Sequence, residues 1–288
     1  MNRNIVITGG AGFIGSHLCE LLVKEDNIYS IDNYSSGSEE NHINGVTYIR
    51  GDTENISELI SIKPDLVFHL GEFSRVEQSF DNIDLIIKSN IRGTIAVLEF
   101  CRKFNCKLVY AGSSTKFADN GEGKNQSPYS WSKSSNTELV VNYGSWFNLP
   151  YAITYFYNAY GPREIKTGKY ATLIAIFSEN YKNNKPLTIV RPGTQRRNFT
   201  HVSDIVSGLE LVGRKGYGDG FGIGNHISFS VQEVAEMFGD NIEYLPPRRG
   251  NRLSGEVVTD KTIELGWKPS IYLTDYINDL KKRHKGDL

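Results

Sequence analysis

Short apolar runs alternate with amphipathic stretches over the first half of the chain. The apolar runs predict strands at 4–9, 27–32, 46–52, 65–71, 107–114 and 151–162. The stretches between them carry apolar residues at helical spacing and predict helices at 15–26, 56–63, 83–105 and 129–148. Strands that alternate with helices in this way are typical of an α/β fold, in which a parallel sheet carries helices on both faces.

The pattern loosens after about residue 162. It predicts helices at 170–184, 230–239 and 271–283, strands at 187–193 and 218–225, a strand leading into a helix at 198–216, and a Pro/Gly/Arg-rich loop at 245–255. We expect residues 1–162 to form one domain to which 197–225 returns, and 163–196 with 226–288 to form a smaller lobe. Since no linker separates the two, the cleft between them is the expected ligand site.

Composition narrows the classes of function. The 288 residues carry a net charge of −1, which gives no overall basic field for nucleic acid and no polybasic membrane anchor. The first residues lead directly into an apolar strand, so we expect no signal peptide and a cytoplasmic location. The three cysteines, Cys19, Cys101 and Cys106, form no CxxC pair, and we expect reduced core residues and no metal site.

A glycine-rich turn, TGGAGFIG (8–15), lies between the first predicted strand and the first predicted helix. Gly9 permits a tight turn, Gly12 lets the backbone approach a pyrophosphate, and Gly15 lets the helix pack on the strand. The helix N-terminus then faces the phosphates. A strand, a glycine turn and a helix in this order predict a dinucleotide-binding site.

Two aspartates follow predicted strands and bear on the cofactor. Asp32 comes 17 residues after Gly15, where a carboxylate accepts hydrogen bonds from a ribose 2′-hydroxyl and repels a 2′-phosphate. This favours NAD over NADP. Asp52 is open to two interpretations, a contact with the adenine or a helix cap.

The segment YSWSK (129–133) places Tyr129 and Lys133 one helical turn apart on the same face. A tyrosine phenol has a pKa near 10, and a neighbouring ammonium together with a cationic nicotinamide lowers it, so that a tyrosinate becomes available as a base. An uncharged triplet, Ser113-Ser114-Thr115, ends the preceding strand.

With these motifs, the chain resembles the extended short-chain dehydrogenases/reductases, the group of NAD-dependent nucleotide-sugar epimerases and dehydratases. The matching segments keep the family's order along nearly the whole chain. They are TGGAGFIGSHL (8–18), IDNYSSGS (31–38), GD (51–52), HLGEFSRVEQS (69–79), NIRGT (90–94), GSST (112–115), YSWSK (129–133), FYNAYGPRE (156–164), RNFTHVSDI (197–205) and ELGWKP (264–269). The resemblance implies a Rossmann-like doubly wound parallel sheet, a smaller C-terminal substrate-binding lobe, NAD as cofactor, a nucleotide-diphosphate sugar as substrate and a homodimer.

The resemblance also implies roles for single residues. Tyr129 would be the acid/base, Lys133 would bind the nicotinamide ribose, and Ser113 would hydrogen-bond the reacting oxygen, with Ser114 and Thr115 beside it. Asn90 would support the active site. The implied cofactor contacts are Gly9, Gly12, Phe13, Ile14, Gly15, Asp32, Asn33, Asp52, Thr53, Leu70, Gly71, Glu72, Asn90, Tyr129 and Lys133. The implied substrate contacts are Ser74, Asn158, Arg197 and either Arg249 or Arg252.

The triplet bears on the reaction. Family members that eliminate water carry an Asp-Glu pair where this chain has Ser114 and Thr115, and neither of these titrates usefully near neutral pH. What remains is oxidation at C4, rotation of the 4-keto sugar and hydride return to the opposite face, which is 4-epimerisation. The alternatives are a 4,6-dehydratase with acids from elsewhere, a 4-oxidoreductase, and a non-catalytic NAD-binding scaffold.

Three further features bear on the cofactor site, the substrate site and the contact between subunits. Glu72 replaces a small residue near the cofactor phosphates; a buried carboxylate needs partners, and Arg75 is the nearest candidate. Val257 either lines the sugar site, where a small residue admits N-acetyl groups, or packs in the core. The helices 83–105 and 129–148 either pair two subunits or cover the sheet.

Overall fold

A seven-stranded parallel sheet forms the centre of the molecule. The computed structural model describes residues 2–117, 123–246 and 257–286. The strands of the sheet are β1 (Asn4–Thr8), β2 (Asn27–Asp32), β3 (Val46–Arg50), β4 (Leu66–His69), β5 (Lys107–Ser113), β6 (Tyr151–Phe156) and β11 (Gly218–Ile223). They lie side by side in the order β11-β6-β5-β4-β1-β2-β3, and every neighbouring pair is parallel. The predicted α/β, Rossmann-like fold is confirmed.

Helices cover both faces of this sheet. One face carries α1 (Phe13–Leu22) and α8 (Val202–Lys215), and the other carries α2 (Ile56–Leu59), α5 (Gly93–Phe104) and α6 (Pro128–Phe147). Strand β1 shows how the sequence produces the two layers. Ile5 and Ile7 join the core under α1 and α8, whereas Val6 between them joins the core under α5 and α6. Strands buried on both faces therefore appear in the sequence as continuous apolar runs.

The predicted helix 83–105 is interrupted. It consists of α4 (Ile83–Ile86), a π-helical segment Ile87–Arg92, and α5. Asn90 lies in the π-helical segment, and its backbone carbonyl accepts a hydrogen bond from Asn136 Nδ2 of α6 at 2.9 Å. π-Helical turns inside α-helices occur frequently at functional sites.

The remaining elements are shorter and form a third core. Helices α7 (Leu173–Lys182), α9 (Val231–Phe238) and α11 (Leu273–Gly286) contribute Phe177, Phe238 and Ile277 to it. Three two-stranded pairs complete this part: β7 (Ala159–Tyr160) with β10 (Thr200–His201), β9 (Arg196–Asn198) with β12 (Ser228–Ser230), and β8 (Leu187–Val190) with β13 (Ile242–Leu245). The other short helices are α3 (Val76–Ser79), α10 (Asp260–Glu264) and the 3₁₀ turns Glu39–Asn41, Thr53–Asn55 and Ser114–Phe117. The domain boundaries given above stay a prediction.

The cysteines are all buried and unpaired, as expected of reduced core residues. None of the helices in the described ranges has the length and apolar character needed to cross a bilayer. Among the same residues, no group of three or more His, Cys, Asp or Glu side chains is placed to hold a metal ion.

A buried aspartate ties the C-terminal segment to the sheet domain. Asp204, 4% exposed on α8, accepts hydrogen bonds from the Ser270 hydroxyl at 2.6 Å and from the backbone N–H groups of Ser270 and Ile271 at 3.0 Å. We expect Asp204→Ala to lower the free energy of unfolding by about 2–4 kcal/mol, since three donors lose a charged acceptor. Urea denaturation measures this. Asp240→Ala, at an exposed position, serves as the control, and equal stability of the two variants would contradict the assigned role.

Candidate active site

A cavity of about 880 Å³ runs along the carboxyl ends of β1, β2, β4 and β5 and continues to the third core. This is the edge where ligands bind in open parallel sheets. Most predicted site residues line it: Gly9, Gly12, Phe13, Ile14, Gly15, Asp32, Asn33, Asp52, Thr53, Leu70, Gly71, Glu72, Ser74, Tyr129, Lys133, Asn158 and Arg197. Asn90, Ser113, Ser114 and Thr115 are not among its described lining residues. Arg249 and Arg252 lie outside the described residues.

The glycine turn at one end of the cavity has the shape that a dinucleotide needs. Gly9 has φ +76°, in the left-handed region that favours glycine. A Cβ on Gly15 would lie 2.0 Å from the Gly9 carbonyl oxygen, so only glycine lets α1 begin this close to the turn. Helix α1 starts at Phe13 and has no side-chain cap. Its first N–H groups are therefore left for a ligand such as a pyrophosphate.

Asp32 lies at the carboxyl end of β2, beside this turn. Its carboxylate accepts hydrogen bonds from Ala11 N at 2.9 Å and Tyr34 N at 2.8 Å. Burial raises the pKa of Asp32, and these two backbone N–H groups oppose the rise. Because each oxygen keeps a further lone pair, the carboxylate still has capacity to accept ribose hydroxyls. The glycine turn and Asp32 together fit a bound NAD.

Asp52 follows β3 and precedes a 3₁₀ turn, but its side chain makes no cap hydrogen bond. The cap interpretation is therefore wrong. The carboxylate instead accepts from Asn33 Nδ2 and from Lys88 Nζ, each at 2.7 Å. The Lys88 hydrogen bond is the main cause of the lowered pKa of Asp52. The adenine contact stays a prediction.

Tyr129 and Lys133 lie in the first turns of α6 because the sequence starts the helix just before them. Ser127 caps the helix by accepting from Ser130 N at 3.0 Å, and Pro128 occupies the first helical position. The Tyr129 hydroxyl donates to Ser113 Oγ at 3.3 Å. The structure thus brings the tyrosine, the lysine and the strand-end serine of the motif together.

The other two residues of the triplet, Ser114 and Thr115, lie in different surroundings. Thr115 donates from Oγ1 to Ser113 Oγ at 3.0 Å and lies behind it, 6% exposed. Ser114 begins the 3₁₀ turn Ser114–Phe117 and makes no side-chain contact that would bring it to the tyrosine within the described part of the chain.

Glu72 does not pair with Arg75, and that prediction was wrong. Its Oε2 accepts from the ammonium of Lys133, which also donates to the Ala111 carbonyl. The side chains of Glu72 and Lys133 are 2% and 6% exposed. Arg75 donates to the Tyr170 carbonyl instead. It lines the cavity, and burial lowers its pKa.

Three neutral donors complete the shell around Glu72. Its Oε1 accepts from Asn136 Nδ2 at 2.8 Å, from Thr94 Oγ1 at 3.0 Å and from the Tyr110 hydroxyl at 3.2 Å. Asn136 was missed in the sequence, where an Asn seven residues after Tyr129 and one turn beyond Lys133 was the available signal. The carboxylate is therefore fully supplied with hydrogen bonds.

His69 lies behind this shell, fully buried as expected of a core residue. Burial lowers its pKa to about 4, so the ring is neutral at physiological pH. Since Thr94 donates its proton to Glu72, the His69 Nε2–H must donate to Thr94 at 3.0 Å, and Nδ1 accepts from Thr8 Oγ1 at 2.7 Å. Thr8 thus donates to His69, His69 to Thr94, and Thr94 to Glu72.

Asn90 supports the loop that carries Glu72. Its amide accepts from Phe73 N at 2.8 Å and donates to the Phe73 carbonyl at 3.1 Å and to Ser132 Oγ at 3.0 Å. The side chain is fully buried. Its direct contact is with protein, so a direct NAD contact stays a prediction.

At the other end of the cavity, Asn158 has φ +35° and donates from Nδ2 to the Asn198 carbonyl at 2.9 Å. Arg197 lies on β9 next to it. Val257 packs against the core cluster around Tyr157, which favours its interpretation as a packing residue. Of the neighbouring aromatic residues, Phe156 lines the cavity.

Comparison with known proteins places this site in context. A sequence model of the NAD dependent epimerase/dehydratase family matches residues 5–224. A dTDP-D-glucose 4,6-dehydratase from Dictyostelium discoideum is 32% identical over 81% of this chain, and the chain spans 61% of that protein's length.

Two solved structures have the same fold. The UDP-glucose 4-epimerase of Thermotoga maritima, in complex with UDP-glucose, is 26% identical, with a TM-score of 0.90 over 99% of this chain and 100% of that one. The UDP-glucose 4-epimerase of Thermus thermophilus, in complex with NAD, is 25% identical, with a TM-score of 0.87 over 99% and 100% of the two chains. Both neighbours thus share the fold of this chain over nearly its whole length.

Proposed function

Since the chain belongs to the NAD dependent epimerase/dehydratase family and NAD is its cofactor, we propose that it is a nucleotide-sugar 4-epimerase. The observation that carries the proposal is that Tyr129 and Lys133 line the cavity and that the Tyr129 hydroxyl donates to Ser113, which uncharged Ser114 and Thr115 follow. The substrate is a UDP-hexose or a UDP-N-acetylhexosamine.

In this reaction the sugar is oxidised and reduced at the same carbon. When bound, NAD would supply the acceptor for the hydride of C4 and, in its reduced form, the hydride that returns to the opposite face of the sugar. Tyr129 takes the proton of the C4 hydroxyl as the C–H bond breaks, and gives it back when the 4-keto sugar is reduced. Ser113, 3.3 Å from the Tyr129 hydroxyl, hydrogen-bonds the reacting oxygen. Electrons and protons balance over the cycle, and no net redox change occurs.

The cavity carboxylates argue against elimination. A dehydratase needs an acid for the leaving C6 hydroxyl and a base for the C5 proton. Five carboxylates belong to the described lining residues. Asp32, Asp52 and Glu54 lie beside the strands β2 and β3, and Glu72 is enclosed by four donors. Glu77 on α3 is the fifth, so elimination would have to rely on this one carboxylate for both roles. A second candidate remains because of one observation, the 32% identity to a dTDP-D-glucose 4,6-dehydratase.

The products distinguish these reactions. We expect incubation with UDP-glucose or UDP-N-acetylglucosamine to yield the C4 epimer, detected by NMR, without accumulation of NADH. A 4-keto-6-deoxy product from a nucleotide-glucose would identify a dehydratase, and stoichiometric NADH with a released keto sugar would identify a 4-oxidoreductase. NAD binding without turnover of any tested nucleotide sugar would favour the scaffold.

The substrate diphosphate is proposed to contact Asn158 and Arg197, with Ser74 near the sugar. A guanidinium fork suits a phosphate. We propose that Arg249 or Arg252 supplies a second arginine contact with this diphosphate.

We also propose a cytoplasmic homodimer that pairs through α5 and α6. Ile95, Trp131 and Trp146 on these helices are 40%, 45% and 60% exposed, and a contact between subunits would remove these large apolar side chains from water. Sedimentation equilibrium that returned the monomer mass would contradict the dimer.

A further inference from the structure

The lysine of the YSWSK motif carries a carboxylate partner. Lys133 Nζ donates to Glu72 Oε2 and to the Ala111 carbonyl. Two of its three N–H donors are used in this way, and the third is left for the nicotinamide ribose. Because both side chains are almost completely buried, the two charges act on their surroundings as a pair, with a sum of zero.

The contacts around Glu72 suit a carboxylate, since the Lys133 ammonium and the Asn136 amide nitrogen can only donate to it. A carboxylate is an acceptor only, and four donors point at this one, from Lys133, Asn136, Thr94 and Tyr110. Burial, and then the Glu72 charge, raise the pKa of Tyr110 well above its usual range, so the phenol remains a donor. On the far side of Thr94 from Glu72, neutral His69 donates from Nε2–H to Thr94 Oγ1.

We propose that Glu72 is a positioning residue that acts through Lys133, where its carboxylate cancels the field of the ammonium at the nicotinamide and at Tyr129. This inference rests on the proposed function only in assigning Tyr129 and Lys133 to the cofactor site. A lone ammonium favours a neighbouring phenolate and disfavours a neighbouring cation. With Glu72 present, both effects are reduced.

The sign of the effect on the cofactor follows from charge alone. The nicotinamide ring is cationic in NAD⁺ and neutral in NADH. An uncompensated ammonium repels the first and not the second, so removal of the Glu72 charge weakens NAD⁺ binding relative to NADH binding. Glu72 thus stabilises the oxidised cofactor, the form that starts each cycle of a C4 oxidation.

The test is the ratio of Kd for NAD⁺ to Kd for NADH, measured by titration without sugar. In Glu72→Gln, which keeps the side-chain shape, we expect this ratio to rise about tenfold, a change typical of one unscreened charge at a partly buried site. In Lys133→Met the carboxylate is uncompensated, and we expect the ratio to fall. In the double variant Glu72→Gln/Lys133→Met no charge remains, and the ratio returns to the wild-type value.

A purely structural role predicts a different result, in which both affinities fall together and the ratio stays constant in all three variants. That result would overturn the proposal. If Glu72→Gln does not fold, an unchanged ratio of the two Kd values in Lys133→Met is sufficient to overturn the proposal. Glu54→Gln is the matched control, since it removes a cavity carboxylate in the 3₁₀ turn after β3 whose cationic neighbour is Lys88 rather than Lys133. We expect its ratio to equal that of the wild type.

The pH profile of turnover gives a second readout. In Glu72→Gln the acid limb is expected to move to lower pH, because the uncompensated ammonium favours the phenolate. The other ionisable groups that face this cluster are Arg75, Tyr110 and His69, with Tyr170 and Glu164 beyond Arg75. Burial raises the pKa of Glu164 to about 7, and all of these groups are retained in the variant, so that their titration is common to both proteins. An acid limb that does not move, or moves to higher pH, would contradict the proposal. Failure of the epimerase assignment would change the sugar products and leave the cofactor ratios as stated.

Discussion

Replacement of Tyr129 with phenylalanine is expected to lower kcat by about 10²–10⁴-fold, the usual contribution of a positioned acid/base. The variant loses the hydroxyl that donates to Ser113 Oγ and keeps the ring that lines the cavity. NAD should therefore still bind, because the glycine turn and Asp32 are unaffected. Initial rates with the nucleotide sugar identified by NMR, together with NAD titration of the same preparation, measure both effects.

A matched control is available in Tyr217→Phe. Tyr217 is 64% exposed, and the ring that lies against the Lys107 ammonium is kept in the variant. Its turnover should equal that of the wild type. A Tyr129→Phe enzyme with more than about a tenth of wild-type kcat would show that another group transfers the proton.

Much of the fold was predictable because its signals are local. The predicted strands 4–9 and 27–32 correspond to β1 and β2 within one residue, because each is a short apolar run that ends in a turn. The interruption of the helix at 83–105 was not predictable. Within the interruption, the Asn90 carbonyl accepts a hydrogen bond from Asn136 of α6, 46 residues away along the chain, and helical periodicity contains no information about such a partner.

In the candidate site, too, the features set by neighbouring residues were predictable and those set by distant partners were not. Tyr129, Lys133 and the glycine turn were predicted because each motif lies within a few consecutive residues. The partner of Glu72 was not, since sequence proximity suggested Arg75 three residues away, whereas the structure selects Lys133, 61 residues away. The loop after β4 turns the Glu72 side chain towards α6, and Asn90 fixes that loop through Phe73. Such a selection depends on how the elements pack.

The substitution Gly15→Ala is expected to have the largest effect on cofactor binding. A Cβ at this position would lie 2.0 Å from the Gly9 carbonyl oxygen and 2.8 Å from Gly10 Cα. Both contacts are with backbone, so the turn or the start of α1 must move. Overpacking of this kind costs about 1–3 kcal/mol of stability. The displaced N–H groups no longer converge on the pyrophosphate, and we expect NAD affinity to fall at least about 100-fold, equivalent to about 2.7 kcal/mol.

Gly239→Ala is the control, because nothing lies within 4 Å of the added Cβ at the end of α9. Calorimetric titration with NAD and thermal unfolding of both variants separate binding from stability. Since the clash is with the turn itself, the loss of affinity should persist at a temperature where Gly15→Ala is fully folded. Normal NAD affinity in folded Gly15→Ala would mean that the dinucleotide does not bind across this turn, and the assignment of the cavity would have to be abandoned.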